Sequence, residues 1–217
     1  MNFETLPADS KLLDQQQLQK AAELRFPSYY QILKDWEMVG YKTVTSLDIA
    51  TELGLKDSQV QEDLESIGVF HSPRIGYILC NLIYELEVFF GWNKVNEGII
   101  VGAGSIGSAL LGYSRFEQCG LKIVAAFDLD QSKVGTPIHG KNVYPMEEML
   151  GFVQQKHISI GVITVPASEA QSVTDTLVQG GIRAIWNFTP VHLEVPEDII
   201  VQNQDLYSSL ASISKKL

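Results

Sequence analysis

The sequence predicts an α/β Rossmann domain, a doubly wound parallel sheet, preceded by an all-α or winged-helix domain and followed by one more helix. Three observations carry this expectation. Gly102-Ala103-Gly104-Ser105-Ile106-Gly107 is a G-x-G-x-x-G loop between an apolar run at 98–101 and a helix-like stretch at 108–113. Beyond it, apolar strand-like runs alternate with amphipathic helical segments. Before it, two short helical patterns are joined by a glycine-containing turn of about four residues, the spacing of a helix-turn-helix.

The first 92 residues read as a helical domain. Residues 10–25 form a helix with Leu13, Leu18, Ala21, Ala22 and Leu24 roughly on one side. Pro27 suits the first turn of a second helix over 28–39, which carries Tyr29, Ile32, Leu33 and Trp36 and stops at Gly40. Thr45-x-x-Asp48 is a capping pattern that opens a third helix over 46–53, ended by Gly54. Asp57 or Ser58 then caps a fourth, with Val60, Leu64 and Ile67 turned inward. The helix-turn-helix spans about 46–67, and 68–77, with Pro73 and Gly76, forms a hairpin wing. A fifth helix over 78–90 ends at Gly91. Helical domains without a nucleic-acid partner share this spacing, so the pattern alone leaves DNA binding open.

Residues 93–204 form the second domain. Strands are expected at 98–102, 122–128, 159–165, 183–188 and 199–202. Helices are expected at 105–113, at 145–156 with Pro145 in its first turn, and at 168–179 before Gly180-Gly181. Apolar strands with helices between them belong to a parallel sheet covered on both faces. Residues 205–217 form a terminal amphipathic helix, with Leu206, Leu210 and Ile213 on one stripe. It has no evident place in a closed Rossmann unit, so it packs on its own domain or is lent to a second subunit.

The glycine loop carries chemistry. Its first glycine allows a tight turn, its second lets the backbone approach a pyrophosphate, and its third lets helix and strand pack closely. The helix N-terminus adds N–H donors and a favourable dipole for the phosphates. Asp128 lies 21 residues past Gly107 at the end of an apolar run, where a carboxylate accepts from both hydroxyls of an adenine ribose and repels a 2′-phosphate. The ligand expected is NADH or NAD.

Composition sets outer bounds. The chain is 45% apolar and 19% charged, as in a globular protein. Its most apolar stretch outside the loop, 78–90, is interrupted by Asn81, Glu85 and Glu87, so no membrane span is expected. Cys80 and Cys119 have no metal or redox spacing and read as reduced core residues of a cytoplasmic protein. His71, His139, His157 and His192 are scattered, so no metal site is expected. Of the net charge of −10, residues 1–92 carry −7, from 7 Lys or Arg against 14 Asp or Glu. Such a domain is repelled by a polyanion at long range.

The arrangement resembles the redox-sensing transcriptional repressors called Rex. The matching stretches are Leu24-Arg25-Phe26-Pro27-Ser28-Tyr29-Tyr30, the glycine loop, Ala126-Phe127-Asp128-Leu129-Asp130 and Lys133-Val134-Gly135. They continue through Thr164-Val165-Pro166-Ala167, Asn187-Phe188-Thr189-Pro190 and Val195-Pro196-Glu197. The resemblance implies a homodimer with an N-terminal winged helix, a C-terminal Rossmann domain and a terminal helix swapped between subunits. It implies that Gly102 to Gly107 and Asp128 hold NADH, while Val165, Pro166, Phe188 and Pro190 lie near the nicotinamide. It further implies a regulator that binds operator DNA and is released by NADH, not an enzyme. Tyr113 and Asp205 take the family's switch positions, and Gln31 stands where some members place an arginine that pairs with that aspartate. A neutral amide loses the charge-assisted pair, so a weaker or different coupling is expected.

The fourth helix departs further from the family. It reads Ser58-Gln59-Val60-Gln61-Glu62-Asp63-Leu64-Glu65, with no cation after Lys56 and three acids where members usually present basic residues. DNA contact would then fall to Arg25, Lys42, Lys56 and Arg74 around the rim, with Ser58, Gln59 and Gln61 on the helix. Three alternatives stay open: a paralogue that keeps NADH but has lost operator binding, a NAD-dependent oxidoreductase, and a coenzyme A-binding relative. An oxidoreductase needs a proton donor or acceptor beside the nicotinamide, and His192 is the one nearby candidate.

Overall fold

In the computed structural model, which describes residues 21–204 and 206–215, the chain divides into two units, Met1–Asn93 and Lys94–Leu217. The helix expected over 10–25 lies largely outside the described residues; residues 21–23 are helical.

The first unit contains α1 (Phe26–Met38), β1 (Thr43–Val44), α2 (Ser46–Leu53), α3 (Asp57–Ser66), β2 (Tyr77–Ile78) and α4 (Leu79–Phe90). Thr45 and Asp48 make the expected capping box, and Gly54 closes α2 in the left-handed region at φ +65°. The N-cap of α3 is Lys56, without a side-chain cap; Asp57, expected to cap, is already helical. Phe26, Tyr29 and Leu33 of α1, Ile49 of α2, Val60 and Leu64 of α3, and Leu79, Leu82 and Leu86 of α4 meet in one core. These positions recur every three or four residues along each helix, the stripe that a helical layer buries.

The wing differs from its expectation. Instead of a hairpin within 68–77, Tyr77 and Ile78 pair antiparallel with Ile78 opposite Thr43 and Tyr77 opposite Val44, across the helix-turn-helix. Residues 72–76 close only a tight turn through one bridge between Ser72 and Gly76. Pro73 offers no N–H to a ladder, so that segment cannot extend as a ribbon. Cys80, expected in the core, is exposed; Cys119 is half-buried. On α4 the inward stripe is taken by Leu79, Leu82, Ile83 and Leu86.

The second unit holds β3 (Asn96–Val101), α5 (Ser105–Leu111), α6 (Arg115–Gln118), β4 (Leu121–Asp128), β5 (Val143–Pro145), α7 (Met149–Lys156), β6 (Ile160–Ile163), α8 (Ala170–Gly180), β7 (Ala184–Asn187), β8 (Ile200–Asn203) and α9 (Leu206–Ser214). The sheet order is β5-β4-β3-β6-β7-β8 with every pair parallel, the doubly wound order. Ile99 and Val101 face Met149, Val153, Val173 and Leu177 of α7 and α8, while Ile100 between them faces Leu111 of α5 and Phe116 beside it. Period-two alternation thus serves two helical layers.

Two short elements escaped the sequence reading, β5 and α6. Pro145 ends β5 rather than opening a helix, and a 3-10 turn at Met146–Glu148 precedes α7. The helix expected to reach residue 113 stops at Leu111, so Tyr113 lies in the turn beyond it. Of the terminal stripe, Leu210 and Ile213 are exposed. Among the described residues, no helix is long and apolar enough to cross a membrane.

Candidate functional site

The strand order reverses between β3 and β6, and a crevice opens there at the carboxyl ends of the strands. Gly102 leaves β3 at φ +97°, and a Cβ on it would sit 2.8 Å from the carbonyl of Thr164. A Cβ on Gly107 would collide with the Gly102 carbonyl oxygen and lie 2.8 Å from Thr164 Oγ1. Thr164 Oγ1 donates to the Gly102 carbonyl at 2.6 Å, binding the loop to the end of β6. Gly104, the N-cap of α5, has nothing within 4 Å of its Cβ position. Two glycines therefore serve close packing and the third keeps an open backbone face at the start of a helix, a cradle suited to a pyrophosphate.

Val165 and Pro166 stand between two hollows. One, of about 660 Å³, is lined by Gly102, Gly104, Asp128, Asp130, Lys133 and Val173 among others. The other, of about 750 Å³, is lined by Ile106, Val165, Pro166, Phe188, Pro190, His192 and Tyr207 among others. Asp128, Asp130, Lys133 and Glu169 put charge on the first, while the second sets Ile106, Val165, Pro166 and Phe188 beside the neutral polar Thr189, Asn203 and Gln204, two unlike walls for the two halves of a dinucleotide.

Asp128 is almost fully buried and already organised. Its Oδ2 accepts from the Ala103 N–H at 2.7 Å and from Lys133 Nζ at 3.2 Å, and its Oδ1 accepts from the Asp130 N–H at 2.8 Å. The carboxylate thus holds the glycine loop as well as facing the hollow. The bond to Asp128 raises the Lys133 ammonium above its ordinary pKa, and the Ser132 hydroxyl and N–H lower the Asp130 carboxyl. Oδ1 keeps a lone pair for a further donor, such as a ribose hydroxyl, whereas Oδ2 already accepts from two.

On the apolar side, Asn187 sets the turn after β7. It is fully buried, and its Oδ1 accepts from the Thr189 N–H at 2.9 Å and the Thr189 hydroxyl at 2.7 Å. Behind Phe188, Trp186 packs at 4.9 Å between ring centres, then Phe116 at 5.5 Å and Tyr113 at 4.8 Å. Tyr113 is half-exposed and lines a separate pocket of about 210 Å³ with Phe116 and His139, away from the apolar hollow. Asp205 lies outside the described residues.

In the first unit the structure rearranges the expected DNA contacts. Arg25 grips Asp63 of α3 through Nε at 2.7 Å and Nη2 at 2.6 Å, and the Tyr29 hydroxyl donates to the same carboxylate at 2.6 Å. Arg25 is therefore a tether between α1 and α3 rather than a free rim cation, and Asp63 points inward. Gln61 Nε2 donates to Ser46 Oγ at 3.1 Å, joining α3 to α2, and to Asp57 Oδ2 one turn back on α3 at 3.0 Å, instead of facing out. The outer face of α3 shows Ser58, Glu62 and Glu65, with Gln59 half-buried beside them; Lys42, Lys56 and Arg74 are exposed, as is Gln31 on α1. Two outward acids remain of the three expected.

Known proteins share this architecture. Residues 93–191 match the family model described as CoA binding domain, and residues 20–65 match "Putative DNA-binding protein N-terminus". The Redox-sensing transcriptional repressor Rex of Bacteroides thetaiotaomicron is 40% identical over 89% of this chain and 88% of its own length. That of Treponema denticola is 41% identical over 87% and 90%. The chain belongs to the Rex family. Crystal structures of RSP, a Rex-family repressor, superpose on this Rex-family chain at 33% identity. Its complex with β-NAD+ and operator DNA gives a TM-score of 0.83 over 91% of both chains, and its β-NADH complex gives 0.79 over 90% and 92%.

Of the residues expected at the site, Gly102, Gly104 and Asp128 line the first hollow, Ile106, Phe188 and Pro190 the second, and Val165 and Pro166 both, while Ala103, Ser105 and Gly107 line neither. Lys133, Thr164 and Asn187 stand in family-like stretches of the sequence without an assigned role, and the structure brings all three to the site. Asn203, Gln204 and Tyr207, which also line the second hollow, carry no signal in the sequence.

Proposed function

We infer that this chain is an NADH-sensing transcriptional repressor that binds operator DNA as a homodimer in the cytoplasm and lets go when NADH binds. The observation that carries the reading is the two-sided crevice, with buried Asp128 on one side and the Val165, Pro166, Phe188 and Pro190 wall on the other. Oxidised nicotinamide carries a ring charge and reduced nicotinamide does not, so an apolar wall disfavours the oxidised form by desolvation. Unequal affinity for the two forms is what a redox switch requires. Asp128 and the glycine loop would hold the adenosine and pyrophosphate, with Lys133 balancing the local charge.

The reading takes no chemical step, in keeping with relatives named as repressors. His192 borders the second hollow but is exposed, and among the described residues no carboxylate is hydrogen-bonded to it to orient it as an acid or base. A mobility-shift assay with palindromic Rex-type operator DNA tests the reading. Retardation that NADH abolishes at concentrations where NAD does not is the expected result; retardation indifferent to NADH, or none at low salt, would overturn it.

A further inference from the structure

We propose that Asn203 is a positioning residue of the redox switch, transmitting the state of the nicotinamide-side turn to the terminal helix through one hydrogen bond from Asn187. The proposal rests on the redox-switch reading and adds the route by which the crevice addresses α9.

The bond is fixed in sense. Asn187 Oδ1 faces the Thr189 N–H, which can only donate, and Asn187 Nδ2 faces the Val191 carbonyl at 3.0 Å, which can only accept. The amide therefore has a single orientation, and its second Nδ2 hydrogen goes to Asn203 Oδ1 at 2.8 Å. A second tie runs beside it, from the Gln204 N–H to the Asn187 carbonyl at 2.8 Å. Asn203 is the last residue of β8, and α9 starts at Leu206.

The turn that Asn187 organises, Phe188 to Val191, lines the apolar hollow, and so do Asn203, Gln204 and Tyr207 beyond the bond. Asn187 is fully buried with all four hydrogen-bonding sites of its amide in use. A ring that displaces the turn cannot leave this amide behind, because each lost bond would strand a buried polar atom. The adjustment passes to Asn203, whose side chain is exposed, and so to the root of α9. Asn203 needs only an acceptor atom for this role.

The test uses the full-length protein and a labelled palindromic Rex-type operator. The operator Kd is measured by anisotropy without nucleotide and again at NADH saturating for each variant, so that a change in NADH affinity does not enter the ratio. In Asn203→Ala and in Asn203→Leu, which is isosteric and cannot accept, the ratio should shrink at least tenfold towards one. Asn203→Asp keeps the acceptor and should hold a ratio near that of the wild type. An unchanged ratio in whichever of the Ala and Leu variants folds overturns the proposal, as does an Asp variant uncoupled as fully as Ala. A wild type whose operator affinity ignores NADH overturns the underlying redox reading, so the two failures are distinct.

Discussion

Arg25 and Asp63, 38 residues apart, form a two-pronged ion pair that fixes α3 to the start of α1, with the Tyr29 hydroxyl closing the third side. The pair explains why an acid on that helix does not oppose a polyanion: its charge is answered internally. Arg25→Ala would leave Asp63 buried and short of its main partner. Unfolding in urea should show a loss of about 2–4 kcal/mol, somewhat below the cost of breaking a fully buried pair because Arg25 is 23% exposed.

The same cluster gives a pH dependence. Burial, and then the bond to Asp63, raise the Tyr29 hydroxyl above its ordinary value of 10.0. A raised folded-state pKa stabilises fully below pH 10 and is lost as the pH climbs towards the folded value. Stability should therefore fall above pH 10, by up to about 1.4 kcal/mol per pH unit from this group. Tyr29→Phe should flatten the decline, with Tyr77, also raised by burial, supplying what remains. Equal slopes for both proteins in alkaline urea titrations would contradict this account.

Gly104 and Gly107 should separate binding from folding. At Gly104 a Cβ meets open space and φ is −73°, so Gly104→Ala should leave Tm within about 2 °C yet weaken NADH roughly tenfold or more by blocking backbone approach. Gly107→Ala drives a Cβ into the Gly102 carbonyl and should cost about 3 kcal/mol of stability. Calorimetry and thermal melts on both variants check the contrast.

Asp128→Ala should weaken NADH by about 1–3 kcal/mol, the loss expected for hydrogen bonds to a charged group. It also releases Lys133, whose ammonium lies 3.2 Å from the carboxylate. Discrimination against NADPH should narrow in the variant, since a free cation then meets the 2′-phosphate. Titration with both reduced nucleotides reads this directly; an unaltered preference would place Lys133 away from the ribose.

Glu62 and Glu65 are the exposed acids on the outer face of α3. Replacing both with arginine should raise operator affinity most at low salt, steepening the log–log salt slope by about 0.9 for each new phosphate contact. Gln61→Arg should not share the gain, because it breaks the bond to Ser46 that holds α3 to α2. If Gln61→Arg binds as well as the Glu62 and Glu65 variant, α3 docks by a different face.

Much of this was legible in the residue pattern. Apolar runs located five of the six parallel strands, and the spacing from Gly107 to Asp128 marked the crevice, because glycine requirements and strand ends are local properties. Thr45 and Asp48 announced their capping box for the same reason. What could not be read was the direction of side chains whose partners lie far along the chain. Arg25 and Gln61 looked like groove contacts until packing brought Asp63 and Ser46 beside them, and Asp63 looked like an outward acid. Pro145 looked like a helix start until β4 offered it a neighbour. Asn187 sits in a family-like stretch, but its partner Asn203 has no local signature at all. A polar side chain satisfies whichever partner the assembled sheet and helices place within about 3 Å, and that choice belongs to tertiary packing rather than to sequence spacing.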